Sequence, residues 1–222
     1  MTRDEVVGAV AGEIVALPHD RPARVAIDGP DAAGKTTLAV ELREPIEAAG
    51  RPVVRVSIDS FLRPRSERSE GAAQSAAGYY EEAFDVDAFL QLILEPLRPG
   101  GHRTICPVSY DYRGDTRTIG EPVVVESDAV VLVDGVFLQR PALRDEWDLV
   151  VYVQVSENET LARARVRDAE LFGGVAETER RYRGRYLPAQ KLYRDETDPT
   201  ANADVLIDNN NPTLPILRRR AS

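Results

Sequence analysis

The residues best suited to chemistry lie in one short segment, Arg24 to Leu38, which reads RVAIDGPDAAGKTTL. A β-branched run leads into the spacing Gly29-x4-Gly34-Lys35, and a helical pattern follows, which is the setting in which this motif binds phosphate groups. The glycines let successive backbone N–H groups turn toward the phosphates, and the positive end of the new helix attracts negative charge. The segment therefore predicts a loop that binds a nucleotide through its phosphates.

The side chains of this loop have separate predicted roles. Lys35 is expected to pair with the β- and γ-phosphates, and the Thr36 hydroxyl is expected to hold a Mg²⁺ ion that arrives with ATP. Asp31 places an acid inside the loop, so its side chain must point away from the nucleotide. The other reading is a glycine-rich turn with a solvated lysine, which the agreement of strand, spacing and helix disfavours. The predicted ATP-binding residues are Gly29, Asp31, Ala32, Ala33, Gly34, Lys35, Thr36 and Thr37.

Three acidic residues follow or end predicted strands beside the loop. Asp28 precedes Gly29, Asp59 follows the strand at residues 53–58, and Asp134 ends the run VVLVD. Carboxylates near a triphosphate are unfavourable unless they hold a metal ion or accept a proton. Asp59 is therefore a candidate base or metal ligand, and Thr36, Asp59 and Asp134 are the candidate metal-binding set. The alternative for each acid is an ordinary strand-end cap or turn residue.

An arginine-rich segment at about residues 156–190 is the next candidate. A capping box at Ser156–Glu159 predicts the start of a helix that carries Arg163 and Arg167 on one face. Arginines on a mobile lid can neutralise charge and exclude water during phosphoryl transfer, and these two are candidate catalytic residues. The alternative is a solvated helix with Glu/Arg pairs. After a break at Phe172–Gly174, four more arginines follow: Arg180, Arg181, Arg183 and Arg185.

Strands alternate with helices along the rest of the chain. This order predicts an α/β fold with a mainly parallel sheet and helices on both faces, in a single domain spanning residues 1–222. The predicted helices cover residues 6–17, 36–49 and 86–97, with a polar loop at residues 63–78. The predicted strands cover residues 53–58, 129–133, 149–155 and 205–207, and a hairpin is predicted from strands at 103–112 and 121–126 around Gly114.

Composition narrows the class of partner. The net charge of −9 disfavours nucleic acid and anionic membranes, because affinity for phosphate backbones needs a cationic surplus. Cys106 is the only cysteine, and neither a signal peptide nor a membrane span is visible, so a cytoplasmic location is expected. The predicted partners are ATP and a small hydroxyl-bearing substrate. The oligomeric state is left open, a homo-oligomer included.

Several motifs together resemble the uridine kinase and phosphoribulokinase family of P-loop kinases, and the uridine kinase branch most. The similarity runs from about Arg24 to Asn211. The motifs that carry it are IDGPDAAGKTTLA, SIDSFLRPR, YYEEAFD, PVSYDY, VLVDGVF and ARARVRD. The resemblance implies the P-loop fold, with a small hairpin at about residues 103–126 facing the acceptor and a helical lid. It also implies transfer of a phosphoryl group from ATP to a hydroxyl, with Asp59 as the base.

The acceptor is where the sequence departs from that family. Leu62 stands in place of a tyrosine, and the residues after PVSYDY lack the histidine that touches a pyrimidine. Aromatic faces, an acid and a cation remain near the expected pocket, and uridine or cytidine is the first acceptor they suggest. These candidate substrate-binding residues are Tyr79, Tyr80, Tyr110, Tyr112, Arg113 and Asp115.

Other functions remain open at this point. Within kinases the acceptor could instead be pantothenate, a sugar phosphate or nicotinamide riboside, and Arg113 or Arg117 could hold an anionic group. A regulatory P-loop NTPase is the rival class, but the ending Asp208–Asn211 does not supply the Asn-Lys-x-Asp segment of a guanine switch. A catalytically inactive nucleotide-binding protein is disfavoured because Lys35 and Asp59 are present.

Overall fold

A six-stranded sheet forms the centre of the computed structural model, which describes residues 1–220. Its strand order is β10-β9-β8-β1-β7-β2, with every neighbouring pair parallel except the antiparallel β9 and β10. These strands are β1 Ala23–Asp28, β2 Val53–Ser57, β7 Val130–Gly135, β8 Leu149–Gln154, β9 Val205–Asp208 and β10 Ile216–Arg219. Four short strands stand apart from this sheet: β3 Thr104–Ile105, β4 Val108–Asp111, β5 Thr116–Ile119 and β6 Val123–Val124.

Helices cover both faces of the sheet. They are α1 Arg3–Val15, α2 Lys35–Ala48, α3 Ala76–Glu81, α4 Val86–Phe89, α5 Glu157–Arg167, α6 Ala169–Phe172, α7 Val175–Arg181, α8 Leu187–Thr197 and α9 Pro199–Asn202. Alternate residues of β1 face opposite sides: Val25 and Ile27 join the apolar cluster under α1 and α2, whereas Ala26 joins the cluster on the other face. None of the helices within residues 1–220 is long and apolar enough to span a bilayer. The two large apolar clusters fill opposite faces of the sheet, and the extent of the domain stays a prediction.

Parallel pairing brings the predicted acidic residues to one edge. In the register, Asp134 lies opposite both Ile27 of β1 and Ser57 of β2. Asp59 follows β2 in a short 3-10 helix, Ile58–Phe61, whose first turn is capped by the Ser57 hydroxyl on the Asp59 N–H at 3.3 Å. The carboxyl ends of these strands therefore meet beside the phosphate loop, as expected for ligand sites in open α/β sheets.

Three local expectations need correction. The predicted strands at 103–112 and 121–126 form two separate ladders, β3 with β6 and β4 with β5, because Pro107 cannot donate to a ladder and the Cys106 N–H bonds the Leu92 carbonyl instead. The predicted helix 86–97 is α4 followed by a π turn and a 3-10 turn ending beside Pro96. The edge strand β10 has no counterpart among the predicted strands.

A buried arginine joins the end of α1 to the sheet. The Arg51 side chain is 1% exposed, and its guanidinium donates to the carbonyls of Leu17 at 3.0 Å and Asp128 at 2.8 Å. Further carbonyls of the same two segments lie within bonding distance: Ile14, Val15, Pro18 and Ala129. One side chain thus donates to two of the C-terminal carbonyls of α1, those of Ile14 and Val15, and to carbonyls of the segment that follows.

We expect Arg51→Met to lower the free energy of unfolding by roughly 2–4 kcal/mol, because buried carbonyls lose their donors. Urea unfolding followed by circular dichroism measures this change. The control is Arg43→Met, which removes an exposed pair with Glu47 and should change stability by less than about 0.5 kcal/mol. Equal stability of the Arg51 variant and the wild type would show that these carbonyls do not depend on the guanidinium.

Candidate active site

The phosphate loop connects β1 to α2 and has a conformation that requires its glycines. Gly29 has a φ of +148°, and a Cβ there would lie 2.2 Å from the Val153 carbonyl oxygen. Gly34 has a φ of +92° directly before α2. The motif spacing is therefore explained by backbone geometry, since larger residues at these positions would strain or displace the loop.

Lys35 and Thr36, the cation and the hydroxyl of the motif, both line a cleft above the loop. Lys35 is 8% exposed, and its ammonium donates to the Pro30 carbonyl at 2.6 Å. Burial lowers the pKa of Lys35, although Asp31, Asp59 and Asp28 oppose that change. Because this lysine has little contact with water and lies among carboxylates, it attracts a further negative charge only at close range. A phosphate bound in this loop would be at such a distance.

The candidate metal-binding residues form one oxygen-rich corner. The Thr36 hydroxyl donates to Asp134 Oδ2 at 2.6 Å, and Arg55 contacts Asp134 Oδ1 at 3.4 Å. Within residues 1–220, no three His, Cys, Asp or Glu side chains form a metal-binding group by themselves. Hydroxyl and carboxylate oxygens are nevertheless the donors that Mg²⁺ accepts, and Mg²⁺ commonly uses one or two carboxylates together with substrate phosphates. The residues present therefore fit a Mg²⁺ ion that is bound with a nucleotide.

A cleft of about 600 Å³ lies over this corner and contains most of the predicted nucleotide-binding residues. Its lining includes Asp31–Thr37, Asp59, Asp134, Arg163 and Arg167. Asp59 lies at the side of the cleft, where part of its surface is accessible to solvent. The protein packed around its carboxyl nevertheless raises its pKa to about 6 by desolvation, and the positive charge of Lys35 opposes this increase. Asp31 and Asp134 raise it further. A carboxyl with a pKa near 6 can both accept and release a proton close to neutral pH.

Asp31 joins the phosphate loop to the two elements next to it. Its carboxylate accepts hydrogen bonds from the Tyr79 hydroxyl at 3.2 Å and from the Gln190 amide at 3.3 Å. Tyr79 belongs to α3 and Gln190 to α8. The predicted conflict between this acid and bound phosphates is therefore eased, because its oxygens are directed to neighbouring donors.

The two candidate lid arginines have different surroundings. Arg163 pairs with Glu159 at 2.8 Å and donates to the Asn209 carbonyl at 2.6 Å, so it bridges α5 and the end of β9. Arg167 forms a double contact with Asp168 at 2.6 and 2.9 Å. Burial alone would lower the pKa of Arg167, but its bonds to Asp168 raise it overall. The Arg167 guanidinium therefore stays charged beside the cleft, which both arginines line.

The later arginines of the predicted lid differ in their contacts. Arg180 and Arg181 pair with Glu177, and Arg183 lies 4.0 Å from Glu179, as expected for a solvated helix. Arg185 instead lies over the rings of Tyr79 and Tyr186, at 4.8 and 5.2 Å from their centroids. It belongs to a π turn, Tyr182–Tyr186, between α7 and α8.

The structure separates the two predicted tyrosines of α3. Tyr79 is 6% exposed and packs edge-to-face on Phe137 and Tyr186, with its hydroxyl on Asp31. Neither tyrosine is in the cleft lining, but Tyr79 bonds Asp31, which is, whereas the Tyr80 hydroxyl bonds Glu196 and its ring packs on Phe137. Only Tyr79 is thus close to the residues of the cleft.

Strand β4 of the hairpin packs against the 3-10 helix that carries Asp59, but the predicted hairpin residues are not in the cleft lining and their polar groups are partly engaged. The Tyr110 hydroxyl bonds Asp115, and Asp115 also accepts the Arg65 N–H at 2.9 Å. Burial and this bond raise the pKa of Tyr110 to about 12. Tyr112 packs edge-to-face on Tyr110 at 5.1 Å and is close enough to Asp59 to be influenced by its charge. Arg113 is exposed, and its backbone N–H caps the turn on Asp111 at 2.9 Å.

Some residues of the cleft were not found by reasoning from the sequence. The Asn209 amide donates to the Ala33 carbonyl at 2.8 Å, and its oxygen accepts Arg3 at 3.3 Å. Arg3 is also held by Glu41 at 2.6 Å, so α1 contributes a cation to the nucleotide end of the cleft. The run of asparagines after β9 was a usable signal for Asn209, whereas nothing in the sequence links Arg3 to the loop.

Comparisons with known proteins agree with this geometry. A sequence model of the Phosphoribulokinase / Uridine kinase family matches residues 25–178. A uridine kinase of Leuconostoc citreum is 26% identical over 197 residues, covering 87% of this chain and 90% of that protein. A uridine kinase of Staphylococcus haemolyticus is 29% identical over 186 residues, covering 82% and 86% respectively.

Solved structures share the fold. One described as a possible uridine kinase from Bacillus stearothermophilus has a TM-score of 0.72 at 23% identity, covering 91% of this chain and 97% of that one. A D-glycerate 3-kinase from Cryptococcus neoformans has a TM-score of 0.65 at 14% identity, covering 96% and 99% respectively. The predicted α/β P-loop fold is confirmed by these likenesses and by the mainly parallel sheet.

Proposed function

The chain belongs to the phosphoribulokinase / uridine kinase family of P-loop kinases, and we propose that it phosphorylates the 5′-hydroxyl of a ribonucleoside, uridine or cytidine first. Family membership makes it a phosphotransferase. The observation that carries the proposal is the Asp59 carboxyl at the side of the cleft, next to the Lys35 ammonium and the Thr36–Asp134 corner. The uridine kinases among its relatives support the choice of nucleoside.

In this proposal Asp59 handles the proton of the acceptor. The acceptor oxygen forms a bond to the γ-phosphorus as the bond to the leaving ADP oxygen breaks, and Asp59 takes the hydroxyl proton. A pKa of about 6 leaves most of this carboxyl ionised at neutral pH, so it is ready to accept. Because such transition states are loose, positioning and charge compensation supply most of the catalysis.

Cations on both sides of the cleft compensate the phosphate charge. Lys35 approaches from the loop and Arg167 from the lid, and each influences the pKa of Asp59. Mg²⁺ bound with ATP would be held by Thr36 and Asp134, with Asp59 nearby, and would neutralise phosphate charge. The segment at about 156–190 is proposed to close over the cleft and exclude water, which would otherwise compete with the acceptor.

The acceptor would lie between the hairpin and α3. Tyr112 and Tyr110 offer aromatic surface on one side, and Tyr79 borders the other. Stacking of a base on such rings contributes about 1–3 kcal/mol in other nucleic-acid sites. Asp115 already accepts two hydrogen bonds, so we propose that it positions Tyr110 rather than reading the base edge.

The test of the function is ATP-dependent phosphorylation of uridine and cytidine, followed by ADP release and by detection of the monophosphate. Lys35→Ala is expected to reduce turnover by about 10³-fold or more, because the charge on the transferring group loses its nearest cation. Lys191→Ala is the matched control, since this other lysine is exposed and its one ion pair within residues 1–220 is with Asp195. Wild-type turnover by Lys35→Ala would contradict the role of the loop.

Asp59 gives a prediction about pH. Since its carboxyl must be ionised to accept a proton, kcat/KM should fall about tenfold per pH unit below pH 6. Asp59→Asn should remove this limb and slow turnover by roughly 10²–10⁴, with ATP affinity within about tenfold. Asp87→Asn, at an exposed position, should change neither. Loss of ATP binding in the Asp59 variant would make this residue a metal ligand rather than a base.

The lid gives a third prediction for this reaction. Arg167→Ala should reduce kcat by about 10²-fold or more, while Arg183→Ala, an exposed arginine of the same lid, should stay within about twofold. Limited proteolysis of residues 156–190 should slow when ATP and acceptor are both bound. Equal kcat values for the two variants would assign Arg167 to the solvated surface of the helix.

A further inference from the structure

The two ends of the cleft are formed by strands on opposite sides of the phosphate loop. In the sheet order β9-β8-β1-β7-β2, the loop follows the central strand β1. Asp134 in β7 and Asp59 after β2 lie on one side of β1, whereas Asn209 directly follows β9 on the other side. Neighbouring strands are about 4.8 Å apart, so β9 and β7 are separated by about 14 Å. In the proposed reaction the γ-phosphate lies at the Asp59 end, and the nucleoside part of the donor therefore extends toward Asn209.

Asn209 is held closely against the phosphate loop. It is 2% exposed, and its amide nitrogen donates to the Ala33 carbonyl at 2.8 Å. A Cβ on Gly34 would lie 2.9 Å from the same nitrogen, which shows how closely the two segments approach each other. The Asn209 side-chain oxygen accepts a hydrogen bond from Arg3 at 3.3 Å. Asn209 therefore connects the loop to α1.

Arg3 extends this connection from α1 to α2. Its Nε and Nη2 both donate to Glu41 Oε2, at 2.8 and 2.6 Å. Arg3, Glu41 and Asn209 all line the cleft. Arg3 precedes residues 25–178, the part of the chain that the family model matches, so membership of the family does not by itself assign it a role.

Glu41 has one carboxylate oxygen available to a ligand. Both bonds from Arg3 go to Oε2, and Oε1 has no hydrogen-bond partner within residues 1–220. The Glu41 side chain is 35% exposed, although the residue lines the cleft. Glu41 lies one helical turn after Thr37, on the same face of α2. Its carboxylate is therefore placed just beyond the residues that are predicted to bind phosphates.

The charges at this end of the cleft indicate which part of a nucleotide the carboxylate could contact. A phosphate next to Glu41 would be repelled, because like charges at short distance interact strongly where little water separates them. The Arg3 guanidinium already compensates the charge of Glu41, and Arg163 adds a second cation through its bond to the Asn209 carbonyl at 2.6 Å. Glu41 Oε1 therefore suits a neutral hydrogen-bond donor. In a nucleotide, the ribose hydroxyls are the neutral donors nearest to the phosphates.

We propose that Glu41 binds the ribose hydroxyls of the donor nucleotide, and that Arg3 is a positioning residue that holds the Glu41 carboxylate and compensates its charge. This inference rests on the proposed function for the direction of the donor, and it adds a residue that selects ribonucleotides as donors. Carboxylates accept hydrogen bonds from ribose hydroxyls in other nucleotide sites. The alternative is that the Arg3–Glu41 pair only attaches α1 to α2.

The experiment compares two ligands that differ only in the ribose hydroxyls. Calorimetry measures the Kd of ADP and of 2′,3′-dideoxyADP in the presence of Mg²⁺, and GDP with 2′,3′-dideoxyGDP forms a second pair with another base. For the wild type we expect the ribonucleotide to bind about tenfold or more tightly, because hydrogen bonds to a charged acceptor are strong. In Glu41→Ala this ratio should fall to within about twofold of unity, since the Kd of the dideoxynucleotide should stay close to that of the wild type.

Further variants separate positioning from folding. Arg3→Ala should give a ratio between those of the wild type and Glu41→Ala, because Glu41 loses the group that orients it. Arg3→Lys keeps the charge without the planar fork, so its ratio should lie between those of Arg3→Ala and the wild type. Glu44→Ala is the matched control, since Glu44 is exposed on the same helix and should leave the ratio unchanged. Thermal melting identifies unfolding, which would weaken both ligands equally.

The outcomes distinguish failure of this inference from failure of the proposed function. Equal binding of both members of each pair by the wild type would overturn the inference. A ratio that is unchanged in Glu41→Ala would also overturn it and would assign the pair to the attachment of α1. An equal loss of both ligands in folded Arg3→Ala would make Arg3 a phosphate-binding cation and contradict its positioning role.

Two results concern the proposed function itself. A ratio that depends on Glu41, in a protein that does not phosphorylate uridine or cytidine, would retain the inference and contradict the proposed acceptor. Failure of both ADP and GDP to bind would contradict the inference together with the nucleotide site on which it rests.

Discussion

One buried carboxylate ties together the segments that form the cleft. Asp28 is fully buried and accepts hydrogen bonds from the Gly29 N–H at 2.8 Å, from the Gln139 amide at 3.0 Å and from the Tyr193 hydroxyl. Burial raises the pKa of Asp28, while these bonds oppose that change. Because an unpaired charge at this depth would be very costly, the loop, the segment after β7 and α8 must keep their relative positions. The face of α8 that carries Tyr193 also carries Gln190, whose bond to Asp31 makes a second attachment to the loop.

The sequence predicted those features that depend on local spacing. The phosphate loop, the acids at the ends of β2 and β7, and the alternation of strands and helices all follow from motifs and periodicity within short windows, and the fold class is confirmed. Which residues bind ATP, metal or acceptor stays a prediction. The contacts of Asp28 with residues about 110 and 165 positions away could not be predicted, because no local pattern encodes them. The edge strand β10 was missed because its exposed, arginine-rich sequence resembles a polar tail.

The acceptor side was the hardest part to predict, for a physical reason. Tyrosines and arginines serve equally well in a core, on a surface or in a site, and only their partners distinguish these uses. Tyr80 and Tyr79 are adjacent in the sequence, yet the first bonds Glu196 outside the cleft and the second bonds Asp31 within the site. Arg183 and Arg185 are two residues apart in one π turn, but one faces Glu179 and the other two aromatic rings. The regular periodicity of an α-helix does not predict this difference, because a π turn changes the direction of the side chains that follow it.

The attachment of the β4–β5 hairpin has a consequence for how such an enzyme can diverge. Within residues 1–220 its strands share no ladder with the six-stranded sheet, and they pair only with each other. Among residues 1–220, the hydrogen bonds that hold the phosphate loop, Asp134 and α8 therefore include none from the hairpin, whose side chains bond Asp85 and Arg65 instead. In the proposed function, a hairpin of different length or sequence would therefore change the acceptor side of the cleft while those hydrogen bonds stay in place.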